Sequence, residues 1–336
     1  MNKFACLSVL FFLVSCREEM PCPQAFYYWR TVCKPGIAER KALSECDAKR
    51  MYIRYFDVVA GDDGYRPAAT VIFGDSLPDM AVVPVVFVVN DVLKPLADDS
   101  VAALAQKICA RIESVNRKYH IEDVPEIQLD CDWSETTREK YFRLLHCIRD
   151  HPLLRDRQLS ATLRLHQWKF REKAGIPPAD RVCLMCYNMG NFTSYHTRNS
   201  ILDAEEVAAY LRFSAAYPMP VDVALPLFCW GVRFNHFRYA GLISGLSEKD
   251  LQTPEFSAVE PGVYRADTSV SLLGVPIRKG EHIRIEEPDA RAIRQTAEIL
   301  AGRIKNRGYL VWFHLDSLLL QKFTPHELDE IADLFR

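Results

Sequence analysis

The sequence predicts an α/β fold, a (β/α)8 TIM barrel, on two observations. The first is a set of eight short apolar runs typical of buried strands, which cover residues 25–32, 51–59, 81–90, 126–132, 159–168, 181–188, 222–230 and 309–315. The second is a helical pattern between most of these runs, clearest at 100–119, 136–150, 203–213 and 288–307, with a last helix over 325–335. Eight alternations of strand and helix are the number that closes such a barrel.

Two connections depart from this alternation. Residues 61–78, rich in Gly, Asp and Pro, replace a regular second helix. Residues 246–287 form a long insertion after the seventh strand, with strand-like runs at 262–266 and 269–285. Loops that follow barrel strands lie at the active end of the barrel. We therefore expect both segments to shape a groove there.

The amino terminus has the pattern of a bacterial lipoprotein signal. Residues 1–15 contain Lys3 and an apolar run too short to span a bilayer, and small residues precede Cys16. The sequence predicts cleavage before Cys16, lipidation of its thiol, a tether over 16–24, and a barrel over 25–336. The acidic residues after Cys16 resemble tethers of surface lipoproteins, so we expect anchoring in the cell envelope, at the outer membrane or cell surface. An ordinary signal with a chance cysteine is the alternative.

Charge and cysteine content exclude several classes. There are 42 Lys and Arg against 44 Asp and Glu, a formal net charge of −2, and no basic cluster, which argues against a nucleic-acid partner. Of the 11 cysteines, Cys6 leaves with the signal and Cys16 is lipidated, so an odd number remains, and Cys131, Cys183, Cys186 and Cys229 lie in apolar strand-like runs. No disulfide framework is therefore indicated, although Cys22, Cys33 and Cys46 could include one pair. Cys183 and Cys186 would point to opposite faces of a strand, and no metal or cofactor is predicted.

Residues 124–134, VPEIQLDCDWS, are the most informative stretch. A period of two places Gln128, Asp130 and Asp132 on one face of the fourth strand. Carboxylates in a strand need water or hydrogen-bond donors, so this face should line a polar cavity. A plain ion-pair role at a strand end is the alternative.

Four motifs, in order along the predicted strands, resemble the chitinase-like family-18 glycoside hydrolases. Those enzymes carry D-x-x-D-x-D-x-E on strand four, Met-x-Tyr-Asp on strand six, an aromatic followed by Gly on strand seven and a lumen tryptophan on strand eight. The residues in these places are Asp130, Asp132, Met185, Tyr187, Asn188, Trp230, Gly231 and Trp312. The chain also resembles an uncharacterised group of bacterial barrel lipoproteins, which implies no activity. The first resemblance implies a carbohydrate ligand, with Asp130, Asp132 and Tyr187 as catalytic candidates.

The sequence departs from the family motif at two positions. Ile127 stands in place of the first aspartate and Ser134 in place of the glutamate. In the family, that glutamate protonates the leaving glycosidic oxygen while the substrate's acetamido oxygen attacks. A serine hydroxyl has too high a pKa to donate this proton. The family mechanism should therefore not operate here as written.

Three functions remain open at this point. The chain could be a glycosidase with a relocated acid, for which Glu135, Asp57 and Asp316 are the candidates. It could instead be a surface lipoprotein that binds glycans without hydrolysing them. A structural or assembly protein is the third possibility.

Further side chains near strand ends are candidates for contacting a sugar. They are the aromatic residues Tyr27, Trp29, Trp168, Trp230 and Trp312, together with Asn188, Arg164 and His166. For Arg164 and His166, an ion pair with the neighbouring aspartates is at least as good an explanation. For the aromatics at 26–29, packing in the barrel core is the alternative.

Overall fold

The computed structural model describes residues 22–61, 64–74, 77, 79–212 and 214–336, so the signal segment and Cys16 lie outside the described residues. Eight parallel strands form a closed barrel, and each predicted strand is present. They are β1 (Gln24–Tyr28), β2 (Arg50–Gly61), β3 (Ala81–Val88), β4 (Glu126–Asp130), β5 (Gln158–Arg164), β6 (Arg181–Met185), β7 (Val221–Pro226) and β8 (Arg307–Phe313). Closure comes from β1, which pairs with both β8 and β2. The predicted fold class is confirmed.

Helices cover the outside of this barrel. They are α1 (Ile37–Glu45), α2 (Asn90–Leu93), α3 (Ser100–Tyr119), α4 (Arg138–Arg149), α5 (Leu165–Lys169), α6 (Arg171–Ala174), α7 (Ala204–Leu211), α8 (Ala290–Arg303) and α9 (Pro325–Asp333). Side-chain caps fix several starts: Asp289 accepts from the N–H of Ala292 at 2.7 Å before α8, and Thr324 and Glu327 form a capping box at α9. None of the described helices is both long and apolar enough to cross a membrane.

The connection between β2 and β3 contains no helix in its described residues, as the sequence predicts. Instead, an antiparallel strand, Gly64–Ala68, pairs with the second half of β2. A short strand, Ile72–Phe73, then pairs with Val32–Cys33. The chain between β2 and β3 therefore adds a hairpin strand to β2 in place of a helix.

The insertion between β7 and β8 is a five-stranded antiparallel sheet. In spatial order its strands are Arg238–Ser244, Trp230–Asn235, His282–Glu286, Val263–Ala266 and Phe256–Glu260. A small hairpin of Val270–Leu272 and Val275–Ile277 lies beside it. The apolar run predicted as one strand over 222–230 is interrupted: β7 ends at Pro226, and Trp230 begins the inserted sheet. The insertion thus starts well before residue 246.

Buried ion pairs close the amino-terminal end of the barrel. Arg50 contacts Glu126 at 2.6 Å, and Arg181 contacts Asp222 at 2.7 Å. The Asp222 carboxylate also accepts from the backbone N–H of Tyr309 at 2.6 Å. This network fills the bottom of the barrel, so any ligand site lies at the opposite, carboxyl-terminal end.

Candidate functional site

The two aspartates at the end of β4 lie in different environments. Asp130 is buried and accepts from the Thr162 hydroxyl at 2.7 Å. Burial raises its pKa to about 6, although the positive charge of Arg164 opposes the rise. Asp132 lies just past the strand with half of its side chain exposed, and it forms an ion pair with Arg164. The predicted inward face of β4 thus ends in two carboxylates with different roles. Asp130 is buried and has a raised pKa, and Asp132 beyond it forms an ion pair with Arg164.

Arg164 and His166 lie where β5 passes into α5. The apolar run at 159–168 was predicted as a single strand, but β5 ends at Arg164 and the next residues are helical. Arg164 forms an ion pair with Asp132, which is the explanation that the sequence analysis gave as the alternative to contact with a sugar. Burial lowers the pKa of His166. Both side chains line a cavity at the barrel mouth.

This first cavity has a volume of about 320 Å³, within the usual range for ligand sites. The Tyr187 hydroxyl is buried there and has no hydrogen-bond partner among the described residues. Asn188 follows with a φ of +54°, a left-handed conformation that asparagine tolerates better than most residues. The lining residues are Asp132, Arg164, Leu165, His166, Met185, Tyr187, Asn188, Met189 and Tyr210. The cavity therefore presents polar side chains to a ligand, and the partnerless Tyr187 hydroxyl is buried in its lining.

A second cavity, of about 450 Å³, adjoins the first, because Asn188 lines both. Its walls are largely aromatic. They are formed by Trp29, Phe228, Cys229, Trp230, Ser244, Gly245, Phe313, His314, Asp316, Leu318, Leu319 and Asn188. Tyr187 stacks on Phe313, which links the aromatic wall to the first cavity. Together the two cavities form one groove at the mouth of the barrel, the mouth groove.

Trp230 forms one wall of the mouth groove and is held from behind by Glu286. Its indole N–H donates to the buried Glu286 carboxylate at 2.8 Å. The same carboxylate accepts from the backbone N–H of Ser200 at 2.9 Å and from Arg284 at 2.8 Å. The start of the inserted sheet therefore contributes a wall of the groove through Trp230, Ser244 and Gly245. The two segments predicted to shape the groove, 246–287 and 61–78, have no residue in the lining of either cavity, because the insertion begins before residue 246 and the 64–68 strand pairs along β2 on the flank of the barrel.

Ser134, the residue that the resemblance places at the family's acid, does not line the groove. The Ser134 hydroxyl hydrogen-bonds with the hydroxyls of Thr136 at 2.9 Å and Thr137 at 3.2 Å. Neither Ser134 nor the exposed Glu135 lines either cavity. The lining carboxylates of the groove are Asp132 and Asp316.

Asp316 and Asp57, the other two candidate acids, are each bound to an arginine. Asp316 forms an ion pair with Arg30, and although burial would raise the pKa of Asp316, hydrogen bonds from Arg30 and from the Leu318 N–H lower it. Asp57 accepts from Arg54 at 2.7 Å. It lies within β2, two strands from Asp130 and in register with it, and it lines neither cavity.

Two tryptophans predicted to contact a sugar do not lie in the groove. Trp312 is fully buried, and its indole N–H donates at 2.7 Å to Gln24, whose amide donates to Asp329 of α9. It therefore faces the helix layer, because successive strand residues point to opposite faces. Its neighbour Phe313 is the lumen residue, and sequence reasoning missed it.

Trp168 is also misplaced by the sequence prediction. It lies in α5, where it is buried and stacks on Tyr217 with ring centroids 4.9 Å apart. Trp29, for which core packing was the alternative, lines the second cavity beside Phe313. Tyr27 lies deeper in the barrel and donates to Gln128 at 2.5 Å.

The described residues contain no group of three or more His, Cys, Asp or Glu side chains that could hold a metal ion. Cys22, Cys33 and Cys46 are free thiols. The polar groups of the mouth groove suit a neutral, hydroxyl-rich ligand: they offer a phenol, an amide, a neutral imidazole and a charge-balanced ion pair beside aromatic faces.

Comparison with solved structures relates this architecture to family-18 enzymes, whose fold the chain shares. Catalytic domain 2 of the group II chitinase of Ostrinia furnacalis superposes with a TM-score of 0.57 at 11% identity, over 94% of this chain and 96% of that one. A chitinase from Chromobacterium violaceum gives 0.55 at 12% identity, over 94% and 99%. The spore cortex-lytic enzyme SleL of Bacillus cereus gives 0.52 at 14% identity, over 94% and 74%. No family model and no curated protein matches the chain by sequence.

Proposed function

We propose that this chain is a lipid-anchored protein that binds a chitin-like glycan in the mouth groove and does not hydrolyse it by the family-18 mechanism. The observation that carries this proposal is the state of Ser134: a hydroxyl replaces the acid, and it is hydrogen-bonded to Thr136 and Thr137 outside the groove. The chitinases of similar fold suggest the sugar, a polymer of N-acetylglucosamine.

The groove retains features that suit sugar binding. Aromatic faces stack on the apolar faces of pyranose rings, and Trp29, Trp230 and Phe313 provide three such faces. The unpaired hydroxyl of Tyr187 and the Asn188 side chain can exchange hydrogen bonds with sugar hydroxyl or acetamido groups. These groups are sufficient for binding a glycan, which does not require the catalytic acid.

A binding experiment tests this directly. Isothermal titration calorimetry with N-acetylglucosamine hexamer should show binding by the wild-type chain and at least ten-fold weaker binding by Phe313→Ala. Phe170→Ala is the matched control, because Phe170 is an exposed aromatic that lines neither cavity. Equal affinities in the two variants, or no binding by the wild type, would reject the proposal.

A second candidate, a glycosidase with a relocated acid, is favoured by one observation. The pKa of Asp130, which lies buried next to the groove residues Asp132 and Arg164 and does not itself line the groove, is raised to about 6, close to the value that suits a general acid near neutral pH. Hydrolysis of aryl N-acetylglucosaminides by the wild type, lost in Asp130→Asn or Asp132→Asn with folding intact, would support it. Under the binding proposal, the wild type is inactive. Loss with Glu135→Gln would instead assign the acid to Glu135.

The anchor is a separate part of the proposal. A thiol at Cys16, after a short apolar signal, supports diacylglyceryl attachment and a place in the bacterial cell envelope. Cys16→Ala should move the protein from the membrane fraction to the soluble fraction of the cell envelope. An unchanged membrane fraction would reject lipidation without affecting the glycan proposal.

A further inference from the structure

A third cavity lies on the flank of the barrel, away from the mouth groove. It occupies about 450 Å³ between the outer face of β2 and helix α3, beside the hairpin that replaces a second helix. Its walls are apolar, formed by Phe56 and Val58 of β2 and by Leu104 and Ile108 of α3. A full barrel helix would cover such a surface. Here these four side chains, each 1–3% exposed, form the base of a cleft, and Tyr65 and Pro67 of the hairpin form its more exposed apolar side.

Three cationic side chains line the same cleft: Arg66, Lys107 and Arg111. Within the part of the chain that the structure describes, none of them forms an ion pair, and no carboxylate lines the cleft. Arg111 donates to the Thr70 hydroxyl at 2.7 Å, while its Nε is buried without an acceptor. A buried guanidinium N–H without an acceptor is unusual and favours an added anion.

Two of these cations lie over aromatic rings of the cleft. The Arg111 guanidinium is 5.6 Å from the ring centre of Phe56, and the Lys107 ammonium is 5.0 Å from that of Tyr65. These contacts hold the charges at the edge of an apolar surface. The cleft thus pairs an apolar floor with a cationic rim.

We propose that this cleft binds a fatty-acid anion, with the acyl chain on the apolar floor and the carboxylate between Lys107 and Arg111. The chemistry of the lining determines both halves of the ligand. An apolar wall disfavours a purely polar anion, and three cations that form no ion pair with any described residue disfavour a cationic or neutral amphiphile. The site is independent of the mouth groove, so it does not rest on the proposed glycan function.

Titration of the full chain with dodecanoate, below its micelle concentration, tests the proposal by calorimetry. Dodecyltrimethylammonium has the same tail with the opposite charge, and acetate has the charge without the tail. We expect dodecanoate to bind and the other two to bind at least ten-fold more weakly. Comparable binding of the cationic amphiphile would overturn the role of the cations.

Variants locate the site. The double substitution Lys107→Gln and Arg111→Gln should weaken dodecanoate binding at least ten-fold, whereas Arg117→Gln with Lys118→Gln, on the same helix but outside the cleft, should leave it within two-fold. Ala110→Phe should also abolish binding, because Ala110 is exposed and a larger side chain there fills the cleft without cutting into the core.

The remaining outcomes are decisive. Unchanged binding in both cleft variants would place dodecanoate elsewhere and reject the site. Binding to phosphatidylglycerol vesicles that depends on Lys107 and Arg111, with no binding of free dodecanoate, would assign the cations to a membrane surface instead. Binding of N-acetylglucosamine hexamer should be the same in all these variants, which separates this site from the mouth groove.

Discussion

Tyr187 and Phe313 stack at the mouth of the barrel, with ring centroids 4.8 Å apart and an interplanar angle of 27°. Phe313 is the last residue of β8, Tyr187 is the second residue after β6, and each lines one of the two cavities of the mouth groove. Tyr187 lines one cavity, where its buried hydroxyl has no partner among the described residues, and Phe313 lines the other. A ligand that spans both cavities must contact this pair.

Neighbouring residues of β8 should give opposite phenotypes on truncation. Trp312→Ala removes a fully buried indole and should lower the free energy of unfolding by about 3–5 kcal/mol. Phe313→Ala truncates a partly exposed groove wall, so it should mainly weaken glycan binding. Chemical denaturation and calorimetry on both variants measure the two effects. A Trp312 variant that folds normally but binds poorly would place the indole in the groove after all.

Removal of Arg164 should raise the pKa of Asp130 further. The guanidinium opposes the effect of burial on this carboxyl, so Arg164→Gln should shift its pKa above about 6. Titration of the carboxyl carbon by NMR measures the shift. Arg54→Gln is a control, since Arg54 pairs with Asp57 and not with Asp130. An unchanged or lower pKa in Arg164→Gln would contradict the electrostatic assignment.

Glu126 should make the fold less stable as the pH rises. Burial and the nearby Asp222 raise its pKa from 4.5 to about 7, despite Arg50 and Arg181. A group with a raised folded pKa stabilises fully below its unfolded pKa, and this contribution is lost as the pH rises through the folded value. The stabilisation should therefore fall as the pH rises from about 4.5 through the raised folded pKa of Glu126.

Denaturation curves between pH 5 and 8 check this prediction. Glu126→Gln cannot titrate, so its stability should vary less with pH than that of the wild type. Glu135→Gln removes an exposed carboxylate from the surface and should keep the wild-type slope. Equal slopes in all three proteins would show that the buried pair does not control the pH dependence.

Gly308 should not tolerate a side chain. A Cβ at this position would overlap the Arg181 guanidinium and the Asp222 carboxylate, which form a buried ion pair. Gly308→Ala should therefore cost about 3–5 kcal/mol, the usual cost of disrupting such a pair. Gly302→Ala, near the end of α8 in open space, should change stability by less than about 1 kcal/mol. Thermal unfolding of the two variants gives the comparison.

The sequence alone determined the architecture and the inward face of β4. Buried parallel strands are continuous apolar runs, so all eight could be located without contacts between distant residues. The period of two placed Gln128 and Asp130 on the same face, and both are buried with polar partners inside the barrel. The expectation that Ser134 stands in place of the family's acid also needs the sequence alone, because it concerns the identity of a residue and not its position in space.

The set of aromatic residues that line the groove could not be derived from the sequence, because it depends on the tertiary structure. Because side chains alternate between the two faces of a strand, an error of one residue moves a side chain to the opposite face. For this reason the sequence analysis placed Trp312 in the lumen, where the structure has Phe313. Trp168 was placed on a strand because the apolar run at 159–168 continues from β5 into α5, and no residue in the sequence marks the end of the strand at Arg164. The pairing of Arg164 with Asp132 joins two strand ends 32 positions apart along the chain. Local sequence patterns indicate whether each segment is a strand or a helix. The site depends instead on the direction of side chains and on contacts between distant segments, and these are fixed only when the barrel closes.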